Sequence, residues 1–558
     1  MENGSNGLSF HFDKSESKRG NQAESKIEQR RKNFLKEQDI DEIKRKRDDK
    51  NVSLRKEVKK NKFAKRRAIN LPSENKKEES KTKEVKYTVD EAQSAWKEGM
   101  DIMEYFKIVN KTTFDLPHFV FLIELICSRE DHKILFGMVG MRKLLSFVNN
   151  PPIQNVIDAN LLPILLGLSS RKDIPRLQFE VLWCLTNIAS GQSEHVQALI
   201  DKGAIPIFIS LLGSEHGNIV EQSIWALGNI AGEDSYYKSM ILKEGAIKPL
   251  GQILSNSEPN SMLARNCAWC ITNLLRGKPL PIIDEMYFLV PILINIMQTN
   301  TLKEVLSDAC WGISYISDAG EKAIVRILES NALEPMTKML QSEVNVIILP
   351  WVRALGNFVT GEDTMTQTVL DSNILPYLHL LLNHDDCAIR KEACWTLSNI
   401  WAGTAVQVAN LIETGVIDKL IEMIGVDVYE IQREAGWSIS NCTALKEPEI
   451  IQKIVEKKGI EAMCHVLKQK IDVKTVVVVL EGVRNCLQIG KEKFLDENGE
   501  NPFTFIIEEC GGLDTVELLQ EHTNQHVYEL AIEIIEKYFT IEEIDLANEQ
   551  MEDVNLEF

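Results

Sequence analysis

The chain has 558 residues, 44% of them hydrophobic and 26% charged, with a formal net charge of −19. No stretch approaches 18 consecutive apolar residues, and the start MENGSNGLSF lacks a charged segment followed by an apolar core, so neither a membrane span nor a secretory leader is expected. The 11 cysteines are odd in number and scattered through apolar contexts; the CxxC of Cys267 and Cys270 has no second pair or clustered histidines beside it and reads as two buried free thiols, not a zinc site.

The charge is uneven along the chain. Residues 1–29 are polar and flexible by composition, and residues 71–88 have too few apolar residues to fold alone. Between them, residues 30–70 form a basic arm. From Arg30 to Arg67 there are 17 Lys or Arg against 7 Asp or Glu, a surplus of ten positive charges that leaves −29 for the rest. The arm has good helix formers and hardly any apolar stripe, so it becomes a helix only against a partner.

From 89 to 540 the pattern is helical and repeats. LWCLTNIASG, IWALGNIAGE, AWCITNLLRG, CWTLSNIWAG and GWSISNCTAL each set a Trp four residues before an Asn. The Trp slot falls at 183, 225, 269, 311, 353, 395 and 437, spacings of 42, 44, 42, 42, 42 and 42. This period predicts armadillo- or HEAT-type units of two or three helices. A second marker, Gly203, Gly245, Gly415 and Gly459, keeps step and suits a helix C-terminus. One further unit before residue 183 and two after 441 bring the array to about ten. The expected fold is an all-α armadillo solenoid, followed by an acidic tail at 541–558.

With Ile224 at zero, Val220, Leu227 and Ala231 fall within about 60° on a helical wheel, and Trp225 and Asn229 fall near 100° and 140°. The wheel places Leu182, Leu185 and Ala189 in the core and sets Trp183 and Asn187 aside. Stacked units then carry a ladder of indoles about 10 Å apart on a concave wall. Slots between indoles suit the stem of Lys or Arg with its cation over a ring, and the Asn amide can hold an extended main chain. On an acidic body the expected ligand is an extended Lys/Arg-rich peptide. The ladder breaks where Tyr315 takes the Asn slot and Arg353 the Trp slot; a guanidinium at 353 is expected to repel such a peptide, leaving two stretches for two basic clusters.

These motifs, in this order, resemble the importin-α family of nuclear-import adaptors over nearly the whole chain. The resemblance implies a major site for nuclear localisation signals at Trp183, Asn187, Gly191, Trp225, Asn229, Glu233, Trp269 and Asn273. It implies a minor site at Arg353, Asn357, Val359, Thr366, Trp395, Asn399, Glu434, Trp437 and Asn441. It also implies that the arm binds importin-β and mimics a signal, through Arg30, Arg31, Lys44, Arg45, Lys46, Arg47, Arg55, Lys56, Lys65, Arg66 and Arg67. An export receptor would engage the C-terminal repeats, and the protein would shuttle between cytoplasm and nucleus. In the family's lysine pocket this chain has Val196 for a Thr and Glu233 for an Asp, with Asp234 beside it, so cargo ranking is expected to differ.

No cofactor is implied. The sequence has no P-loop, GxGxxG or nucleophile motif, and His379 and His384 read as ordinary helix-end residues, so an enzyme is not expected. A nucleic-acid reader would need stacking aromatics in the arm, where Asp39, Asp41, Asp48 and Asp49 interleave instead. The alternative is an armadillo scaffold in adhesion or signalling, which has no use for the Trp/Asn ladder joined to a basic arm.

Overall fold

The computed structural model describes residues 86–147, 149–340, 344–469 and 472–539. The arm, from Arg30 to Arg67, and the acidic tail lie outside the described residues. Two units divide the chain, one ending at Ala319 and the other beginning at Gly320. Both are helical, and no strand occurs among the described residues.

In the first unit, after helices Val89–Ser94, Ile102–Val109 and Phe119–Ile126, five long helices recur: α1 (Asp131–Leu145), α2 (Pro175–Ala189), α3 (Gly217–Ala231), α4 (Met262–Leu275) and α5 (Lys303–Ser317). Each packs on the next, and the other helices, most of them shorter, lie between them in the chain. The second unit continues the pattern with α6 (Asn345–Phe358), α7 (Cys387–Trp401), α8 (Tyr429–Thr443), α9 (Val473–Lys493) and α10 (Gln525–Tyr538). These ten recurring helices match the expected number of units.

Local chemistry sets the ends. Pro175 opens α2 at a position where a missing N–H costs nothing. Ser261 caps α4 by accepting from the Ala264 N–H at 3.1 Å, and Asp386 caps α7 by accepting from Ala388 at 2.9 Å. The expected core is buried: Leu182, Leu185, Ile224 and Leu227 have no accessible surface. Cys267 and Cys270 are buried free thiols, their titration pushed up by burial.

Gly203, Gly245 and Gly415 have φ of 80°, 74° and 76°, the left-handed turn that an L side chain resists. Gly459 departs from the expectation. The left-handed residue there is Lys458, at φ 66°, while Gly459 opens the helix Gly459–Leu467. A Cβ on Gly459 would lie 2.3 Å from Ile454 Cγ2, so close approach rather than φ demands the glycine.

Candidate functional site: the tryptophan and asparagine walls

The long helices present the Trp and Asn slots at the seams between repeats. Here the structure corrects the helical wheel. Trp183 and Trp225 are only 6% exposed, and Trp269, Trp395 and Trp437 are half-buried. The indoles pack against the neighbouring repeat rather than standing aside. The Trp269 ring lies over Gly228 of α3, where a Cβ would come within 2.2 Å of its Cζ3; Trp395 lies over Gly356 of α6 in the same way, at 2.1 Å. Each glycine directly precedes an Asn of the ladder, so the small residue makes room for the next repeat's indole.

The asparagines are also partly committed. Asn273 Nδ2 donates to the Gly228 carbonyl oxygen at 2.9 Å, and Asn229 Nδ2 to Thr186 at 3.4 Å. In the second unit Asn399 donates to Gly356 and Asn441 to Ser398, each at 3.0 Å. Asn187 reaches Ser146 Oγ at 3.2 Å. In each of these five an amide N–H therefore stitches its repeat to the one before it, which leaves the second N–H and the oxygen as the groups with capacity for a ligand. On α3, Gln222 Oε1, Trp225 Nε1 and Asn229 Oδ1 are buried with no hydrogen-bond partner among the described residues. They recur at i, i+3 and i+7 along one flank of the helix.

At the end of α2, Gly191 sits under His195, whose Nδ1 accepts from the Gln192 N–H at 3.1 Å. Glu233, half-buried, accepts from Ser193 Oγ at 2.8 Å. Asp234 is engaged as a helix cap, accepting from the Tyr236 N–H at 2.7 Å. Val196 has no accessible surface. The same register holds Lys238 and Thr366 one and four units on, and both are buried too. A Val there is an interior residue, and the polar group standing beside Glu233 is Ser193. Sequence reading singled out Val196 and missed Ser193, whose signal was a hydroxyl two residues after Gly191.

In the second unit, Arg353 is buried and lies 3.6 Å from Glu392, another buried group. The guanidinium expected to repel a basic peptide is thus half of an ion pair, which weakens its field on the wall. Asn357 on α6, Val359 just past its end and Thr366 on the following helix Asp363–Asp371 are all buried. Glu434 accepts from Arg433 at 2.9 Å, and Trp437 Nε1 donates to Thr475 Oγ1 at 3.0 Å, which ends this ladder against α9. In the first unit, Tyr315 stacks on Trp311 with centroids 5.5 Å apart.

A similar ion pair opens the first stretch and was not anticipated. Arg142 on α1 donates through Nε to Glu180 Oε2 at 2.7 Å and through its terminal nitrogen to Asn110 Oδ1 at 3.0 Å. Its guanidinium carbon lies 4.6 Å from the Trp183 ring centroid. Arg176 pairs with the other oxygen of Glu180. Glu180 and Glu392 each stand three residues before the first Trp of their stretch, a shared spacing that could have revealed both pairs.

Fold and walls together define an armadillo-repeat protein. Residues 149–190, 192–232, 234–276 and 363–400 match the armadillo/beta-catenin-like repeat, 501–553 the atypical Arm repeat, and 30–116 the importin beta binding domain. That last span runs well past residue 70, into the first described helices. Importin subunit alpha-3 of Arabidopsis thaliana is 42% identical over 428 residues, covering 76% of this chain and 80% of its own length. Importin subunit alpha-B of Dictyostelium discoideum is 39% identical over 522 residues, 93% of this chain and 95% of its own. The crystal structure of an engineered protein superposes with TM-score 0.66 at 23% identity, over 75% of this chain and 98% of its own, a likeness of fold alone. The chain belongs to the importin-α family, whose members are transport adaptors rather than enzymes. No described helix is long and apolar enough to cross a membrane.

Proposed function

We propose that this protein is a nuclear-import adaptor that holds extended Lys/Arg-rich localisation signals along its Trp/Asn walls and presents them to importin-β through the basic arm at 30–70. The observation that carries the reading is Arg142 over Trp183: a wall indole already holds a guanidinium at 4.6 Å, the chemistry required of a ligand cation. The unpartnered polar atoms on α3 support it. Leaving each one unsatisfied costs about 1–3 kcal/mol, and the N–H and C=O groups of an extended main chain are suited to answer them.

In this reading the α2–α4 wall takes one basic cluster and the α6–α8 wall a second, so that single-cluster signals use one wall and bipartite signals both. Glu233, held by Ser193, receives a lysine. The arm's Lys65, Arg66 and Arg67 compete for the same wall until importin-β withdraws them. The protein then cycles between cytoplasm and nucleus, returned by an export receptor that engages the C-terminal repeats and acidic tail.

The test is anisotropy of a labelled bipartite Lys/Arg-rich peptide against the full chain, with and without importin-β. Binding strengthened by importin-β, and weakened about tenfold or more by Trp225→Ala with Asn229→Ala, supports the reading. No binding in either condition refutes it.

A further inference from the structure

The Arg142 site does more than illustrate the slot chemistry. Arg142 and Ser146 are four residues apart and stand 41 residues before Trp183 and Asn187. Asn187 bonds to Ser146 at 3.2 Å, which puts α1 in ladder register with α2. Arg142 thus occupies the first repeat's own Trp slot. It is 5% exposed and Glu180 beside it is fully buried, and two further groups fix the assembly: Asn110 against Arg142, and Arg176 against Glu180. The Arg176 guanidinium is itself 3.7 Å from the Phe106 ring centroid. Held by its carboxylate partner, the Arg142 guanidinium has little freedom to leave the indole it covers.

We propose that Arg142 is a fixed end stop of the first wall: a built-in cation fills the outer face of Trp183, so a ligand peptide seats its cations only on the α2–α4 side of that ring. The inference rests on the proposed function of the wall and adds what sets the peptide's register. A chain of basic residues cannot slide past Trp183, because the next slot is taken by a group of the ligand's own charge. Arg353, in the Trp slot one repeat before Trp395 and paired with Glu392, has the equivalent place in the second stretch.

The test compares full-length wild type with the double variant Arg142→Met/Glu180→Gln, which removes the pair and leaves Arg176 an amide oxygen to bond and its stack on Phe106. Three labelled peptides are titrated: one with five consecutive basic residues, and two with a further arginine at the N-terminal or the C-terminal end. In wild type the extension that would run past Trp183 gains nothing; in the double variant that same extension gains about threefold or more. Equal length dependence in the two proteins overturns the end stop alone, whereas failure of wild type to bind any of the peptides overturns the reading of the wall and the end stop with it. A second measurement needs no substitution. In the arginine-labelled wild-type chain, the Arg142 Nε–H resonance keeps its ring-shifted position when peptide saturates the wall. Its movement to the position of free arginine overturns the proposal.

Discussion

Asn273 on α4 donates to the carbonyl oxygen of Gly228 on α3, 2.9 Å away and one repeat back, while the Trp269 indole of the same helix covers that glycine. Seam and proposed ligand wall are therefore built from the same two side chains. The corresponding bond from Asn229 is longer, 3.4 Å, and Asn229 Oδ1 has no partner among the described residues. Asn273→Ala is expected to cost about 1 kcal/mol of stability in urea unfolding, and Asn229→Ala less. Peptide affinity should fall in both. Equal stability losses would contradict the assignment of the stitch.

Gly228→Ala places a methyl group inside the Trp269 ring. The indole must shift or the two helices separate, at a cost of about 1–3 kcal/mol. A lowered melting temperature together with a change in tryptophan emission is the expected result; an unchanged melt would mean that the seam is loosely packed.

Val196→Thr tests where specificity lies. Because the site is interior, a hydroxyl there is expected to destabilise the fold by about 1 kcal/mol without strengthening lysine binding. Ser193→Ala and Glu233→Gln, by contrast, should weaken binding of a lysine-containing peptide with little effect on the melt. A gain in affinity from Val196→Thr would return that position to the pocket.

Among the described thiols, Cys510 has its titration pulled down. A hydrogen bond from Cys464 is the main cause pulling its titration down to about 7; burial opposes this, and the Gly512 N–H and Lys468 assist it. The same contact pushes Cys464 well up. The thiolate of Cys510 forms as pH rises through about 7, so its alkylation by iodoacetamide, followed by peptide mass spectrometry, should climb between about pH 6 and 8. Cys184 and Cys310, raised by burial, should remain unmodified in the folded chain. A flat Cys510 profile across that range would contradict the contact.

Lys458 is a natural site for improvement. Replacing it with Gly relieves a left-handed lysine and is expected to stabilise the protein by about 1 kcal/mol, whereas Gly459→Ala drives a methyl group into Ile454 and destabilises it. Denaturant midpoints of the two variants should move in opposite directions.

The period, the core face and most helix ends could be read from the sequence, because they follow from apolar spacing and turn chemistry within one unit. What the wheel missed lies between units. It assumes one buried face per helix, but a wall helix is flanked on both sides by its equivalents, so the sector holding Trp225 and Asn229 is a seam. Contacts such as Asn273 to Gly228, 45 residues apart, have no trace in a single-helix pattern. Gly459 misled for a related reason: its spacing matched the turn glycines, while the turn itself had moved to Lys458. The ion pairs at Arg142 and Arg353 cross from one repeat to the next, so the only sign of them within a unit is the shared place of Glu180 and Glu392 three residues before a Trp.

The shared amide also limits how this wall can be re-engineered. Exchanging a ladder Asn to alter main-chain recognition would cut a thread that holds two repeats in register, so selectivity and integrity cannot be adjusted separately there. The positions open to redesign are at the helix ends, where Ser193 and Glu233 meet beyond the last stitch.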